Sequence, residues 1–162
     1  MSKQKPVVVA GEAVDLRRGV DHIGVSVVAV VHDGKGNVLL QKRSRNTRDE
    51  HGRWDLTGGA LEFGEQINEA LARELGEELL TEPLDTEFLV VYDAHRVAPD
   101  GTTPTHWIAI IFAARVDPEK VSIGEPHKVD ELGWFTSKTL PEPLHSQFWK
   151  SYQVALERGI VK

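Results

Sequence analysis

Three glutamates carry the clearest chemical potential of this chain. Glu74, Glu77 and Glu78 are spaced i, i+3 and i+4 within a stretch that predicts a helix from about residue 66 to residue 80. At about 100° per residue, the three carboxylates fall on one arc roughly 100° wide. We expect the opposite side of this helix to bury a stripe of apolar and small residues, namely Leu71, Ala72, Leu75, Gly76 and Leu79.

Like charges at this helical spacing repel one another. The acidic face is therefore either fully solvated or built to bind a divalent cation. Carboxylate oxygens suit hard cations such as Mg²⁺ and Mn²⁺, which in turn bind phosphates. The residue types alone leave both interpretations open.

Residues upstream of the glutamates favour the metal site over a solvated helix. Gly58 and Gly59 precede the helix, and Glu65 and Arg73 follow at fixed distances. Six specified identities at such spacing arise by chance about once in 10⁵ chains of this size. The pattern therefore indicates a functional motif.

This motif resembles the Nudix box, the signature of the Nudix (MutT-like) hydrolases. The matching positions are Gly59, Glu65, Arg73, Glu74, Leu75, Glu77 and Glu78. The resemblance extends over roughly residues 22 to 157, and its lead-in is similar to that of nucleoside-triphosphate pyrophosphatases. It departs at the end of the box, where Leu80 and Thr81 replace the usual glycine and aliphatic residue. In the family, that glycine closes the helix. The departure therefore concerns how the helix ends, and it affects none of the expected metal ligands.

The resemblance implies a Mg²⁺ site, with Mn²⁺ as the alternative cation. Its ligands would be the side chains of Glu74, Glu77 and Glu78, assisted by the backbone carbonyl of Gly58. These three glutamates would also form the catalytic set. The general base stays open between Glu74 and Glu125, which lies on a downstream loop.

Two further roles concern the loops around the box. Glu65 and Arg73 match the family's structural salt bridge, which ties the loop to the helix. A basic stretch ahead of the box is suitable for binding substrate phosphates, and it consists of Lys42, Arg43, Arg45, Arg48 and Arg53. The substrate-binding candidates chosen from it are Arg43, Arg45 and Arg53. A solvated basic loop would explain these arginines equally well.

The function implied is a divalent-metal-dependent hydrolase that cleaves a phosphoanhydride bond of a nucleoside diphosphate linked to another group. A nucleoside triphosphate, cleaved to a nucleoside monophosphate and pyrophosphate, is the leading substrate. A nucleotide sugar or ADP-ribose is an alternative, and so is a non-catalytic module that senses a nucleotide. The isoprenoid-diphosphate isomerase branch of the fold is disfavoured because it requires a cysteine, and the chain has none.

Composition agrees with one catalytic domain. The chain has 162 residues, is 40% hydrophobic and carries a formal net charge of −6. We expect an N-terminal segment at residues 1–20 and a single Nudix domain at residues 21–162. Excess negative charge argues against a nucleic-acid partner. The apolar run at residues 7–10 is too short for a signal peptide or a membrane span, so we expect a cytoplasmic enzyme, with a homodimer left open.

Hydrophobic patterning predicts an α/β fold. Residues 23–31 and 38–42 read as a hairpin around a turn cluster at residues 33–37. Further strands are expected at residues 88–95, 105–116 and 131–135, and a second helix at residues 145–158. Strands on both sides of a helix imply a mixed β-sheet in an α/β/α sandwich, which is also the Nudix-type fold.

Overall fold

A computed structural model describes residues 7–9 and 11–162 of the chain. The strands of the described residues are β1 (Val7–Val9), β2 (Glu12–Val14), β3 (Gly24–His32), β4 (Val38–Arg43), β5 (Trp54–Asp55), β6 (Thr57–Ala60), β7 (Asp85–Val97), β8 (Pro104–Arg115) and β9 (Val129–Phe135). The helices are α1 (Ile67–Leu79), α2 (Phe148–Glu157) and a short 3₁₀ helix, Pro118–Lys120. No helix among these residues is long and apolar enough to cross a membrane.

The main sheet is mixed, as expected. Strand β3 pairs in parallel with β8 along its whole length and antiparallel with β6 on its other edge. Strand β7 follows β8 antiparallel, and β4 pairs with both β5 and β9. Strands β1 and β2 form a separate two-stranded sheet. This architecture confirms the α/β class.

The expected hairpin between β3 and β4 exists only at its turn. His32 and Val38 are the paired positions that join the two strands. Asp33 holds the turn, because its Oδ1 accepts hydrogen bonds from the backbone N–H groups of Lys35, at 2.7 Å, and Asn37, at 3.1 Å. Beyond the turn the strands diverge, and each takes other partners: β6 for β3, and β9 for β4.

The two helices cover opposite faces of the sheet. Val27 and Val31 of β3 pack with α1, whereas Val30, one position out of phase, packs in the cluster that contains α2. Successive side chains of a strand point to opposite faces, so a buried β-branched strand supplies both cores. The α/β/α sandwich expected from the sequence is confirmed.

Helix α1 ends as the family pattern requires, although a leucine occupies the glycine position. Leu80 has φ 52° and ψ 32°, the left-handed conformation that glycine usually supplies. The backbone N–H groups of Ser122 and Gly124 cap the helix by donating to the carbonyls of Leu79, at 3.0 Å, and Glu78, at 2.9 Å. The terminus that the sequence questioned is therefore formed.

We predict that Leu80→Gly stabilises the protein. A left-handed conformation costs an L-residue about 1–2 kcal/mol, and the Leu80 side chain loses little because the residue is 59% exposed. Glycine gives back part of the gain through unfolded-chain entropy, which leaves roughly 0.5–1 kcal/mol and a rise in Tm of about 1–4 °C. Leu80→Ala, which keeps the Cβ, is the matched control. Equal Tm values for the two variants would contradict the account.

Candidate functional site

A bidentate salt bridge connects the loop after β6 to α1. Arg73 Nε lies 2.7 Å from Glu65 Oε1, and Arg73 Nη2 lies 3.1 Å from Glu65 Oε2. Nη2 also donates to the backbone carbonyl of Ala60 at 3.1 Å. The hydrogen bonds from Arg73 lower the pKa of Glu65. The two residues that the motif pairs are therefore in contact, and they fix the loop to the helix.

Arg73 also contacts two of the proposed metal ligands. These contacts were not predicted from the sequence. Its Nη1 lies 2.6 Å from Glu74 Oε1 and 3.4 Å from Glu77 Oε2. The guanidinium thus faces two carboxylates besides Glu65. It supplies positive charge within hydrogen-bonding distance of the acidic cluster.

Glu78 is buried and held by two neutral donors. Its Oε2 accepts from Gln41 Nε2 at 3.0 Å and from the backbone N–H of Gly58 at 3.1 Å. Burial raises the pKa of Glu78 to about 8, and the charge of Glu74 adds to the effect. Gln41 was not predicted, because no local pattern relates it to a helix 37 positions later in the chain.

Glu74 and Glu78 do not lie opposite the apolar stripe. Both residues are only 8% exposed, whereas the Glu77 side chain is 44% exposed. The expected division of the helix was therefore wrong in detail, and Ala72, assigned to the buried stripe, is exposed. The reason is that β6 also covers α1, so carboxylates at the border of the apolar face are enclosed.

The two glycines before the helix have separate steric tasks. A Cβ on Gly58 would lie 2.3 Å from the carbonyl oxygen of Val27, so glycine lets β6 approach β3. A Cβ on Gly59 would lie 2.5 Å from Glu74 Oε1. Glycine at this position leaves the space that the Glu74 carboxylate occupies. Burial raises the pKa of that carboxylate, although the hydrogen bond from Arg73 opposes the shift.

The carboxylates of α1 fit a hard divalent cation. They offer only oxygen donors, and positive charge would stabilise the ionised form of Glu78, whose pKa is raised by burial and further by the charge of Glu74. Their oxygens are now engaged by Arg73, Gln41 and Gly58. Among the described residues, the group of three side chains whose ligand atoms all lie within 4.8 Å of one another is a different one, on β7 and β8.

Glu125 is brought to the carboxyl end of α1. The preceding Gly124 contacts the helix so closely that a Cβ would lie 2.0 Å from the carbonyl oxygen of Glu77. The negative charge of Glu125 contributes to the raised pKa of Glu78. Its own carboxylate is paired with Lys128, whose Nζ lies 2.9 Å from Oε1 and 3.0 Å from Oε2. Lys128 is a contact that the sequence analysis missed.

Two adjoining cavities lie between Glu78 and the face of the sheet that α2 covers. The larger, of about 270 Å³, includes Trp107 and Phe148 among its lining residues. The smaller, of about 220 Å³, reaches Glu78. Three residues, Arg43, Arg48 and Gly58, line both. The larger cavity and the cavity that reaches Glu78 are therefore neighbours.

The three arginines predicted to bind substrate differ in position. Arg43 lines both cavities and is held by Asp49, at 2.8 Å, and Asp55, at 3.3 Å. Arg45 is exposed and, like Arg53, is absent from the linings of the two cavities. Arg53 instead donates to the backbone carbonyl of Leu144 at 2.8 Å.

Arg48 lines both cavities and was not among those three predictions. Its guanidinium carbon lies 5.2 Å from the centre of the Trp107 ring. Its Nε is 3.6 Å from Asp49. A sequence signal existed, since Arg48 belongs to the same basic stretch. The stretch alone did not reveal which of its side chains line the cavities.

The larger cavity also contains polar atoms without partners. Gln147 Oε1 and Arg96 Nε are buried, and neither has a hydrogen-bond partner. Burial raises the pKa of Asp55 in the same lining, against the opposing charges of His145 and Arg43. Both atoms are enclosed by protein, so a ligand in the cavity would reach them only after a movement of the Gln147 or Arg96 side chain.

Comparison with known proteins agrees with this geometry. The family model described as NUDIX domain matches residues 22–155. The ADP-ribose pyrophosphatase of Methanocaldococcus jannaschii is 31% identical over 133 residues, which cover 81% of this chain and 73% of that protein. The nucleoside triphosphatase NudI of Klebsiella pneumoniae is 33% identical over 120 residues, covering 71% of this chain and 84% of that protein.

Solved structures give the same result. A MutT NUDIX hydrolase from Burkholderia pseudomallei superimposes with a TM-score of 0.72 and 29% identity, covering 82% of this chain and 98% of that one. The NUDIX domain of Shewanella oneidensis NrtR, solved with ADP ribose, has a TM-score of 0.68 at 22% identity and covers 85% of this chain and 88% of that one. The second likeness concerns the fold alone.

We predict that Arg73→Ala lowers stability by about 2 kcal/mol, because it removes charge-assisted hydrogen bonds and leaves half-buried carboxylates unpaired. The expected fall in Tm is about 4–8 °C. Arg73→Lys keeps the charge but not the bidentate geometry, so it should lie between Arg73→Ala and the wild type. Thermal unfolding with EDTA is the measurement. Lost hydrolysis with an unchanged Tm would show that the bridge to Glu65 is not structural.

We predict that Glu78 makes the metal-free protein less stable as pH rises. The folded protein keeps the Glu78 proton up to a pKa of about 8, against an ordinary value of 4.5. The stabilisation that this proton provides is complete below pH 4.5 and is lost as the pH rises through the pKa of Glu78 in the folded protein. In EDTA, the Tm of Glu78→Gln minus that of the wild type should therefore increase between pH 5 and pH 8.5. The reason is that only the wild type carries the carboxyl group whose proton is bound more tightly in the folded state. The exposed control Glu82→Gln should show a constant difference, and a constant difference for Glu78→Gln would refute the assignment.

Proposed function

Because the chain belongs to the NUDIX family, we propose that this Nudix hydrolase cleaves a phosphoanhydride bond of a nucleoside triphosphate. Water is consumed, and a nucleoside monophosphate and pyrophosphate are released. The observation that supports the proposal is the pair of adjoining cavities, one lined by Trp107 and the other by Glu78, which share Arg43, Arg48 and Gly58. We further propose that residues 21–162 form the catalytic domain.

The proposed metal site consists of Glu74, Glu77, Glu78 and the backbone carbonyl of Gly58, and it would hold Mg²⁺ or Mn²⁺. When bound, such a cation neutralises phosphate oxygens and lowers the pKa of a coordinated water. The protein's own contribution is to hold the carboxylates in place. Arg73 orders the first two of them, and Gln41 orders Glu78.

The general base is proposed from two carboxylates. Glu74 is enclosed, and burial raises the pKa of its carboxyl group, which makes the carboxylate a stronger base. Glu125 sits on the loop at the end of α1, and Lys128 holds its orientation. Both residues therefore remain candidates for the general base.

The substrate's base would occupy the larger cavity. Trp107 offers an aromatic face there. A volume of about 270 Å³ is near the lower limit for small-molecule pockets.

The phosphates would pass between the two cavities. Arg48 is the better candidate for contacting them, because its contact with Asp49, at 3.6 Å, is longer than the contacts of Arg43 with Asp49, at 2.8 Å, and Asp55, at 3.3 Å. We propose that Arg45 and Arg53, which lie outside the linings, have at most a long-range electrostatic role. A small nucleotide is thus the proposed partner, while the homodimer and the cytoplasmic location stay predictions.

Hydrolysis of ADP-ribose or a nucleotide sugar is the second candidate. It is favoured by the similarity to the ADP-ribose pyrophosphatase of Methanocaldococcus jannaschii. A module that senses a nucleotide without cleaving it is the third candidate. The chain keeps all three glutamates of α1, which supports catalysis over sensing.

The proposal is tested by product analysis with Mg²⁺ on nucleoside triphosphates, nucleotide sugars, ADP-ribose and dinucleotides. We expect a triphosphate to yield pyrophosphate, and Glu77→Gln to reduce turnover by about 10²–10³-fold without lowering Tm. The exposed control Glu82→Gln should leave turnover unchanged. Preferred cleavage of ADP-ribose would replace the substrate assignment. Full activity of Glu77→Gln would overturn the metal site.

A further inference from the structure

A second group of ligating side chains lies on β7 and β8. Asp93 and His95 are two positions apart on β7, so their side chains point to the same face of the strand. His95 is the register partner of His106 on β8. One ligand atom from each of the three residues lies within 4.8 Å of the other two.

We propose that Asp93, His95 and His106 bind a divalent transition-metal ion, with Zn²⁺ as the best match. Two imidazole nitrogens and one carboxylate oxygen form a ligand set that zinc accepts. Mg²⁺ prefers oxygen ligands and would not compete well here. The site is therefore distinct in both position and chemistry from the carboxylates of α1.

The distance between two of the ligands already suits a shared ion. His106 Nε2 lies 3.0 Å from Asp93 Oδ1. Two ligands with bonds of about 2.0–2.1 Å to one ion are about 2.9 Å apart at a right angle and about 3.3 Å apart at the tetrahedral angle. An ion would replace the hydrogen bond between these two side chains. The separation of the donor atoms would hardly change.

The third ligand needs only a side-chain adjustment. The rings of His95 and His106 face each other, with centroids 4.2 Å apart and planes inclined by 31°. Rotation of the exposed His95 ring about its side-chain bonds would aim a nitrogen at the same point. The backbone would stay in place, because directly opposite residues of an antiparallel pair keep their Cβ atoms about 4.5–5.5 Å apart.

The backbone around the site is well anchored. The β7–β8 ladder continues past it as far as the pair Val97 and Pro104. The backbone N–H of His106 also donates to the carbonyl of Gly19 at 2.8 Å. Asp93 and His95 are exposed, and His106 is half-buried. An ion can thus enter from solvent and keep water in its remaining positions.

The site lies behind one wall of the larger cavity. Ala94 and Trp107 are the neighbouring register pair, they point to the opposite face of the sheet, and both line that cavity. A bound ion would join the two strands that carry this wall. The inference does not depend on the identity of the nucleotide substrate.

The test is a calorimetric titration of the tag-free full chain with ZnCl₂ in excess MgCl₂, which occupies oxygen-only sites. We expect one Zn²⁺ to bind per chain. His106→Gln and His95→Gln should each weaken binding at least about tenfold, as loss of a ligand does. His22→Gln, an exposed histidine outside the group, is the matched control and should bind as the wild type does.

Thermal unfolding with and without Zn²⁺ provides the second measurement. Zn²⁺ should raise the Tm of the wild type and of His22→Gln, because an ion that binds only the folded state stabilises it. It should raise the Tm of His106→Gln and of Asp93→Asn much less, while the zinc-free Tm values show that both variants fold. The proposal is overturned if the wild type binds no Zn²⁺ in excess Mg²⁺, or if the ligand variants bind it as tightly as His22→Gln.

Discussion

The burial of like charges on α1 is the constraint on which the rest of the site depends. Glu74 and Glu78 are both enclosed, and the pKa values of both are raised because their charged forms are poorly solvated. Without a cation, such a pair is costly. Arg73, Gln41 and the Gly58 N–H offset part of this cost through hydrogen bonds. A divalent cation would offset more, so the same feature that burdens the metal-free protein favours metal binding.

Several elements of the fold exist in their observed form to hold these charges. Gly58 allows β6 to lie against β3, and Gly59 leaves room for the Glu74 carboxylate. The bridge between Glu65 and Arg73 fixes the loop that covers α1. At the other end, the left-handed Leu80 and the contact of Gly124 with the helix bring the downstream loop to Glu78. The buried glutamates, the two glycines, the salt bridge and the end of α1 are thus linked by direct contacts.

The sequence predicted those parts of the structure that local pattern determines. The helix expected at residues 66–80 is α1, Ile67–Leu79, and the mixed sheet and the sandwich are as expected. Contacts between distant segments were not predictable, and Gln41 on Glu78 is the clearest case. The arginines show the same limit, because a run of basic residues does not reveal that Arg48 faces the cavities while Arg45 does not. Helical periodicity predicted that Ala72 is buried, and it is exposed. Periodicity alone does not include the neighbouring strands, which determine the face of α1 that is covered.

The most direct test of the account is a crystal structure of the protein with Mn²⁺ and a non-hydrolysable nucleoside triphosphate. The account predicts anomalous density for Mn²⁺ among Glu74, Glu77 and Glu78, with the base in the cavity lined by Trp107 and the phosphates passing Arg48. A nucleotide bound elsewhere, or carboxylates that keep their contacts with Arg73 and Gln41 and bind no Mn²⁺, would contradict it.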